Sequence, residues 1–279
     1  MIGWQTLMLG PNNMNSAIKK YSTRVNQVNS LVCVGLDSNI NKLPKEFLQS
    51  PTPQFNFNKW IIDQTHQDIA AYKPNLAFYE ARGSQGWTEL QLTMDYLKTR
   101  YPDIFTIADA KRADIGSTND GYVASIFDQL GFDAVTLHPY LGKEALKPFL
   151  ARKDKISIIL CHTSNPGANE LQNLKLDDQP LWKIVAKKVT TDWNKNNNCM
   201  LVLGATYPEE LAEARKIIGE MTMLVPGIGA QGGDLPSVLK AGLNNNKAGL
   251  IINSSREIIF NDQPQQAAKE LKETINQYR

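Results

Sequence analysis

The chain is 279 residues long, 42% hydrophobic and 21% charged, with a formal net charge of +2. That length and apolar content can support a large core, and the near balance of 30 basic against 28 acidic residues argues against a nucleic-acid or polyanion partner. No run of about 18 apolar residues occurs, so no membrane-spanning helix is expected; Cys33, Cys161 and Cys199 fall in apolar runs without C-x-x-C spacing, as buried thiols in a reducing cytoplasm would.

Residues 1 to 30 read as an N-terminal extension leading into a helix. MIGWQTLMLGPNN has no basic start, and its apolar run is too short for a signal peptide or a membrane span. Met14 is an alternative start, with Ser16 as the helix N-cap. From residue 31 one theme repeats: a short aliphatic run, a polar or glycine-bearing loop, then an amphipathic helical stretch. The predicted strands are LVCVGL (31–36), AAYKP (70–74), FTIADA (105–110), AVTLHP (134–139), ISIILC (156–161), CMLVLG (199–204), MLVPG (223–227) and GLIIN (249–253). Helical patterns run over 59–69, 121–130, 181–193, 208–218 and 264–278, with Trp60, Trp182 and Trp193 reading as packing residues. Continuous apolar strands alternating with helices imply a parallel sheet. Eight such units in roughly 250 residues imply a closed (β/α)8 TIM barrel, one domain over residues 1–279. The competing doubly wound open sheet lacks its fingerprint, since VGLD (34–37) offers one glycine where G-x-G-x-x-G would stand. Two long connections, 38–58 and 165–180, read as candidate lids.

The densest chemistry lies in FTIADAKRADIGST, residues 105–118. An apolar strand ends abruptly at Asp109; if it continues to Lys111, a period of two puts both side chains on one side. Asp114 follows at the turn into a helix. An arbitrary D-x-K-x-x-D is most often three solvated surface charges. The buried strand before it argues otherwise, because the carboxyl ends of parallel strands are where such folds bind ligands. A lysine between two carboxylates in a partly desolvated cleft is held as the ammonium, a proton donor in waiting. In a barrel the other strand ends share that rim: Asp37, Lys73, His138-Pro139, the run His162 to Gly167, the run Pro226 to Gly233, and Asn253-Ser254-Ser255-Arg256. Glycine-rich loops after the seventh and eighth strands, with an arginine, match the usual phosphate site of such barrels.

Six motifs then occur in order: VGLD (34–37), YKPNLAFYE (72–80), DAKRADIGST (109–118), TSNPGA (163–168), PGIGAQGGD (226–234) and NSSR (253–256). Together they resemble the orotidine 5'-phosphate decarboxylase family, in its longer bacterial branch, over residues 31 to 256. The resemblance implies decarboxylation of orotidine 5'-phosphate to UMP, the last step of pyrimidine nucleotide synthesis, with no metal and no organic cofactor. It implies Lys111 as proton donor to C6, Asp109 beside the substrate carboxylate, and Lys73 completing an alternating Lys-Asp-Lys-Asp array with Asp114. It further implies Asp37 and Thr118 on ribose hydroxyls, Ser164 on the pyrimidine amide edge, Pro226 beside the ring, and Gln231 with Arg256 on the phosphate. The resemblance also implies a homodimer, with Asp114 and Thr118 supplied across the interface.

Two alternatives remain open at this level. A sugar-phosphate enzyme of the same superfamily shares D-x-K-x-x-D but needs magnesium, and carries an acidic ligand where this chain has Lys73. A non-catalytic UMP-binding barrel would be expected to have lost Lys111 or one of the acids. The histidines have poor metal-ligand spacing: His66 reads as a packing or surface residue, and His138 and His162 as structural hydrogen-bonders. Arg82 and Arg112 read as solvated.

Overall fold

The computed structural model describes residues 15–228 and 232–279. Eight strands form a closed parallel barrel in which each pairs with its neighbours in sequence and the last closes on the first. They are β1 Val32–Leu36, β2 Ala71–Pro74, β3 Phe105–Arg112, β4 Ala134–Leu137, β5 Ile156–His162, β6 Cys199–Leu203, β7 Met223–Pro226 and β8 Leu250–Ser254. All eight coincide with the predicted runs. The reason is burial on both faces: β1, β2, β4, β6 and β8 are buried at every position, which selects unbroken aliphatic sequence. The three cysteines are buried and unbridged; burial pushes the thiols of Cys33, Cys161 and Cys199 up to about 12.

Helix starts depart from the sequence expectation. The first helix runs Ser16–Val28, and its N-cap is Asn15 rather than Ser16: the Asn15 side chain accepts from the amides of Ala17 and Ile18. Such a cap contributes about 1 kcal/mol. Met14 and the question of an alternative start lie outside the described residues. This helix covers the end of the barrel opposite the rim, where Tyr21 Oη donates to the Leu250 carbonyl at 2.6 Å and Lys20 pairs with Asp133 at 2.7 Å. The helix expected over 59–69 is Pro53–Thr65, with proline in its first turn, where a missing N–H costs nothing. Much of the 38–58 connection is therefore ordered structure rather than open loop. Buried Asn58 donates to Tyr79 Oη and Thr93 Oγ1, and Gln54 donates to the Ser38 carbonyl. The helix expected from 121 begins at Gly116 and widens after Val123.

Trp182 and Trp193 are buried and Trp60 packs against the core, as expected. Arg82 and Arg112 are not merely solvated. Arg82 pairs with fully buried Glu89, and Arg112 pairs with Glu80, donates to the Ala110 carbonyl and lies over the Tyr122 ring. Among the described residues, no helix is long and apolar enough to cross a membrane.

Candidate active site

The carboxyl ends of the barrel strands surround a cleft of about 520 Å³, within the range of small-molecule sites. Asp37, Lys73, Asp109, Lys111, Ser164, Pro226 and Arg256 all line it. Residues up to 219 positions apart in sequence meet here because a parallel barrel sends every strand end to one mouth.

At the floor, Asp109 is clasped between two ammonium groups. Its Oδ2 lies 2.8 Å from Lys73 Nζ and its Oδ1 lies 2.7 Å from Lys111 Nζ. Burial opposes charge on Asp109, but the two lysines outweigh it and hold the carboxyl well below the usual carboxylate range. Burial likewise opposes the Lys73 ammonium, and Asp109 and Asp37 reverse the balance, raising its pKa above the ordinary lysine value.

Regular pleating, the expected basis for the Asp109–Lys111 contact, is not how the two groups meet. Ala108 pairs with Val135 and Arg112 with Leu137, so Asp109, Ala110 and Lys111 of β3 stand opposite Thr136 alone on β4. Lys111 takes φ +46°, in the left-handed region. The Thr136 hydroxyl donates to Asp109 Oδ1 at 2.9 Å and accepts from the amides of Ala110 and Lys111, each at 3.0 Å.

Elsewhere in the cleft, Asp37 Oδ1 and Asn253 Oδ1 are buried acceptors without a partner among the described residues. Unpaired buried acceptors are costly, and a ligand carrying hydroxyl or N–H donors would satisfy both. Two close approaches shape the walls. A Cβ on Gly35 would fall 1.9 Å from Ser255 Oγ, and one on Gly204 would fall 2.8 Å from the backbone nitrogen and Cβ of Ser164. Glycine at both places lets Ser255, and with it Arg256, and Ser164 sit against the neighbouring strand. Arg256 is exposed at the rim and forms no ion pair among the described residues.

Two predicted residues, Asp114 and Thr118, are not in this cleft. Asp114 accepts from the Ile115 amide at 2.7 Å and does not line the cleft. Thr118 lines a separate depression with Leu76, Trp87, Arg112 and Tyr122. Gln231 lies outside the described residues. Thr163 and Asn253, expected on the rim, line the cleft, and so do Asn75, Thr136 and Gln172, which were not singled out from sequence. Thr136 carried a usable signal, as a polar residue inside an apolar strand. Gln172, which bonds Thr163 through both its amide oxygen and nitrogen, carried none. The 165–180 segment that holds Gln172 includes a short helix, Ala168–Leu171, and an antiparallel pair, Lys175–Leu176 with Gln179–Pro180.

His138 bonds the Ala113 carbonyl at 3.2 Å, as a structural residue should. His162 does not behave so. Both its ring nitrogens are buried without a hydrogen-bond partner among the described residues, and it packs against the rings of Trp182 and Tyr207. His66 bonds the Asp63 carbonyl and stacks on Tyr101. Among the described residues, no group of three or more His, Cys, Asp or Glu side chains is arranged to hold a metal ion.

Comparison with known proteins agrees with this geometry. The model of the orotidine 5'-phosphate decarboxylase / HUMPS family matches residues 30–271. The chain is 52% identical to the orotidine 5'-phosphate decarboxylase of Christiangramia forsetii over 231 residues, 83% of this chain and 84% of that one. It is 41% identical to that of a Janthinobacterium species over 268 residues, 94% of this chain and 98% of that one. Among solved structures, OMP decarboxylase of Leishmania donovani superposes with a TM-score of 0.86 at 39% identity, covering 94% of this chain and 98% of that one. Barrel, cleft and sequence similarity converge, and the chain belongs to the orotidine 5'-phosphate decarboxylase / HUMPS family.

Proposed function

We propose that the chain is an orotidine 5'-phosphate decarboxylase, a carbon–carbon lyase that releases carbon dioxide from orotidine 5'-phosphate to form UMP in pyrimidine biosynthesis. The observation that carries the mechanism is Asp109 held between Lys73 and Lys111 at the barrel mouth. The substrate carboxylate sits beside Asp109. The bond from C6 to the carboxylate carbon breaks, carbon dioxide leaves, and the electron pair stays on C6. An N–H of the Lys111 ammonium delivers its proton to C6, and the lysine regains a proton from solvent. A fixed cation aimed at C6 stabilises charge that exists mainly in the transition state, which is where binding energy accelerates a reaction.

Asp37 and Lys73 hold the ribose, Ser164 the amide edge of the pyrimidine, Pro226 the ring face, and Arg256 with Gln231 the phosphate. The unpartnered Oδ1 of Asp37 supports the ribose contact. The chain acts as a homodimer in which the partner subunit's Asp114 and the partner subunit's Thr118 complete the site. This is supported by the position of Asp114 and Thr118 away from their own cleft, near the exposed Ile115 side chain. Three buried free thiols support a reducing, cytoplasmic setting. No metal or organic cofactor takes part in this scheme: the Lys73 ammonium stands where a magnesium-dependent sugar-phosphate enzyme needs an anionic ligand, and would repel the ion.

The test is a spectrophotometric assay of orotidine 5'-phosphate consumption by the purified protein, with and without EDTA. Conversion to UMP unaffected by EDTA is the expected result. Conversion abolished by EDTA would overturn the metal-free scheme, and no conversion despite tight UMP binding would overturn the reaction itself.

A further inference from the structure

We infer that Thr136 is a positioning residue that sets the direction of the Lys111 ammonium; the inference rests on the decarboxylase reading above. Thr136 is 1% exposed and stands at the one place where β3 and β4 lose register, opposite three residues instead of one. Its other edge is regular, pairing with Ile158 of β5, so the irregularity belongs to β3.

A hydroxyl has one proton to give and two lone pairs to receive. The amides of Ala110 and Lys111 occupy both lone pairs at 3.0 Å. The proton then goes to Asp109 Oδ1, 2.9 Å away. That same oxygen receives the Lys111 ammonium at 2.7 Å. One hydroxyl thus fixes both ends of the Asp109–Lys111 contact. It holds the two amides that a regular ladder would have paired with β4, which stabilises the left-handed backbone of Lys111 at φ +46°, a conformation non-glycine residues avoid. It also fixes the rotation of the carboxylate toward which the lysine is drawn. With all three of its hydrogen-bonding capacities spent inside the chain, Thr136 has none left for a substrate, and so acts through Lys111 and Asp109.

The competing view is that Thr136 merely fills the barrel interior with a β-branched side chain. Thr136→Val keeps that shape and removes the hydroxyl. Thr136→Ser keeps the hydroxyl and removes the methyl group, and Thr136→Ala compared with Thr136→Ser isolates the hydroxyl if the valine variant does not fold. The full chain of each is assayed for kcat and KM with orotidine 5'-phosphate, for UMP affinity by calorimetry, and for Tm.

Loss of the hydroxyl is expected to lower kcat about a hundredfold, the scale of a displacement near 1 Å at a reacting group, with UMP affinity within about threefold. Serine is expected to retain kcat within about threefold. The role of Thr136 is overturned if valine, or alanine against serine, leaves kcat unchanged. It is equally overturned if serine loses as much as valine, or if kcat and UMP affinity fall together in step with Tm. Wild-type protein that consumes no orotidine 5'-phosphate would instead overturn the decarboxylase reading on which this role depends.

Discussion

Replacing Asp109 with asparagine removes one charge from a cluster whose members depend on one another. The Thr136 hydroxyl and the Lys111 ammonium both donate at the Oδ1 position, and Lys73 donates at Oδ2. Asparagine has a single side-chain acceptor. Two donors at one end draw the amide oxygen there and leave the amino group facing Lys73, donor against donor. Lys73 is 4% exposed, and the remaining carboxylate acting on it is Asp37. Removing one partner of a buried ion pair costs about 3–5 kcal/mol, and the residual attraction of Asp37 places this case near the lower end, about 3 kcal/mol. At roughly 2–4 °C per kcal/mol for a chain of this size, Tm falls by about 6–12 °C at pH 7, read by scanning calorimetry. Adding Lys73→Met removes the stranded ammonium and should recover at least half of the loss. An Asp109→Asn protein melting within about 2 °C of wild type, or a double variant melting no higher than the single one, would refute the reasoning.

The same pair sets a pH window. The lowered pKa of Asp109 contributes stability that is present above the ordinary aspartate value of about 3.9 and is lost as pH falls below it. The raised pKa of Lys73 contributes stability that is full below the ordinary lysine value of about 10.4 and is lost as pH rises through the raised one. The stability gap between wild type and Asp109→Asn should therefore hold from about pH 4 to neutrality in denaturant melts and narrow as pH rises toward about 10, where the stranded Lys73 of the variant sheds its proton; a gap that closes below neutrality would contradict it. Lys111→Ala should lower kcat by about a thousandfold or more while UMP still binds; retained turnover would remove the proton-donor role. Gly35→Ala places a methyl group 1.9 Å from Ser255 Oγ. Overpacking of about 1–3 kcal/mol should displace Ser255 and Arg256 and lower kcat/KM for the phosphate-bearing substrate by about tenfold; an unchanged kcat/KM would show that the close approach does not matter.

Much of the site was legible because barrel topology turns local signals into a global address. Asp37, Lys73, Asp109, Lys111, Ser164, Pro226 and Arg256 each stand at or just beyond the end of an apolar run, and a parallel barrel brings those ends together. Helix starts were less legible. Asn15 and Ser16 are both good caps, and the backbone geometry of the first turn, not residue type, chooses between them. Arg82 looked solvated because Glu89, its buried partner, sits on the same helical stretch with nothing in its neighbourhood to mark it as interior.

The sequence by itself determined the eight strands, their parallel order and the rim on which the charges stand, because burial on both faces writes an unbroken aliphatic pattern into each strand. Only the tertiary structure decided how Asp109 and Lys111 meet. The pattern predicts a regular pleat, yet two extra residues in β3 and a left-handed Lys111 make the contact. What stabilises them is a hydroxyl from a strand 25 residues further along the chain, and register between two strands is a property of their packing that neither strand encodes alone.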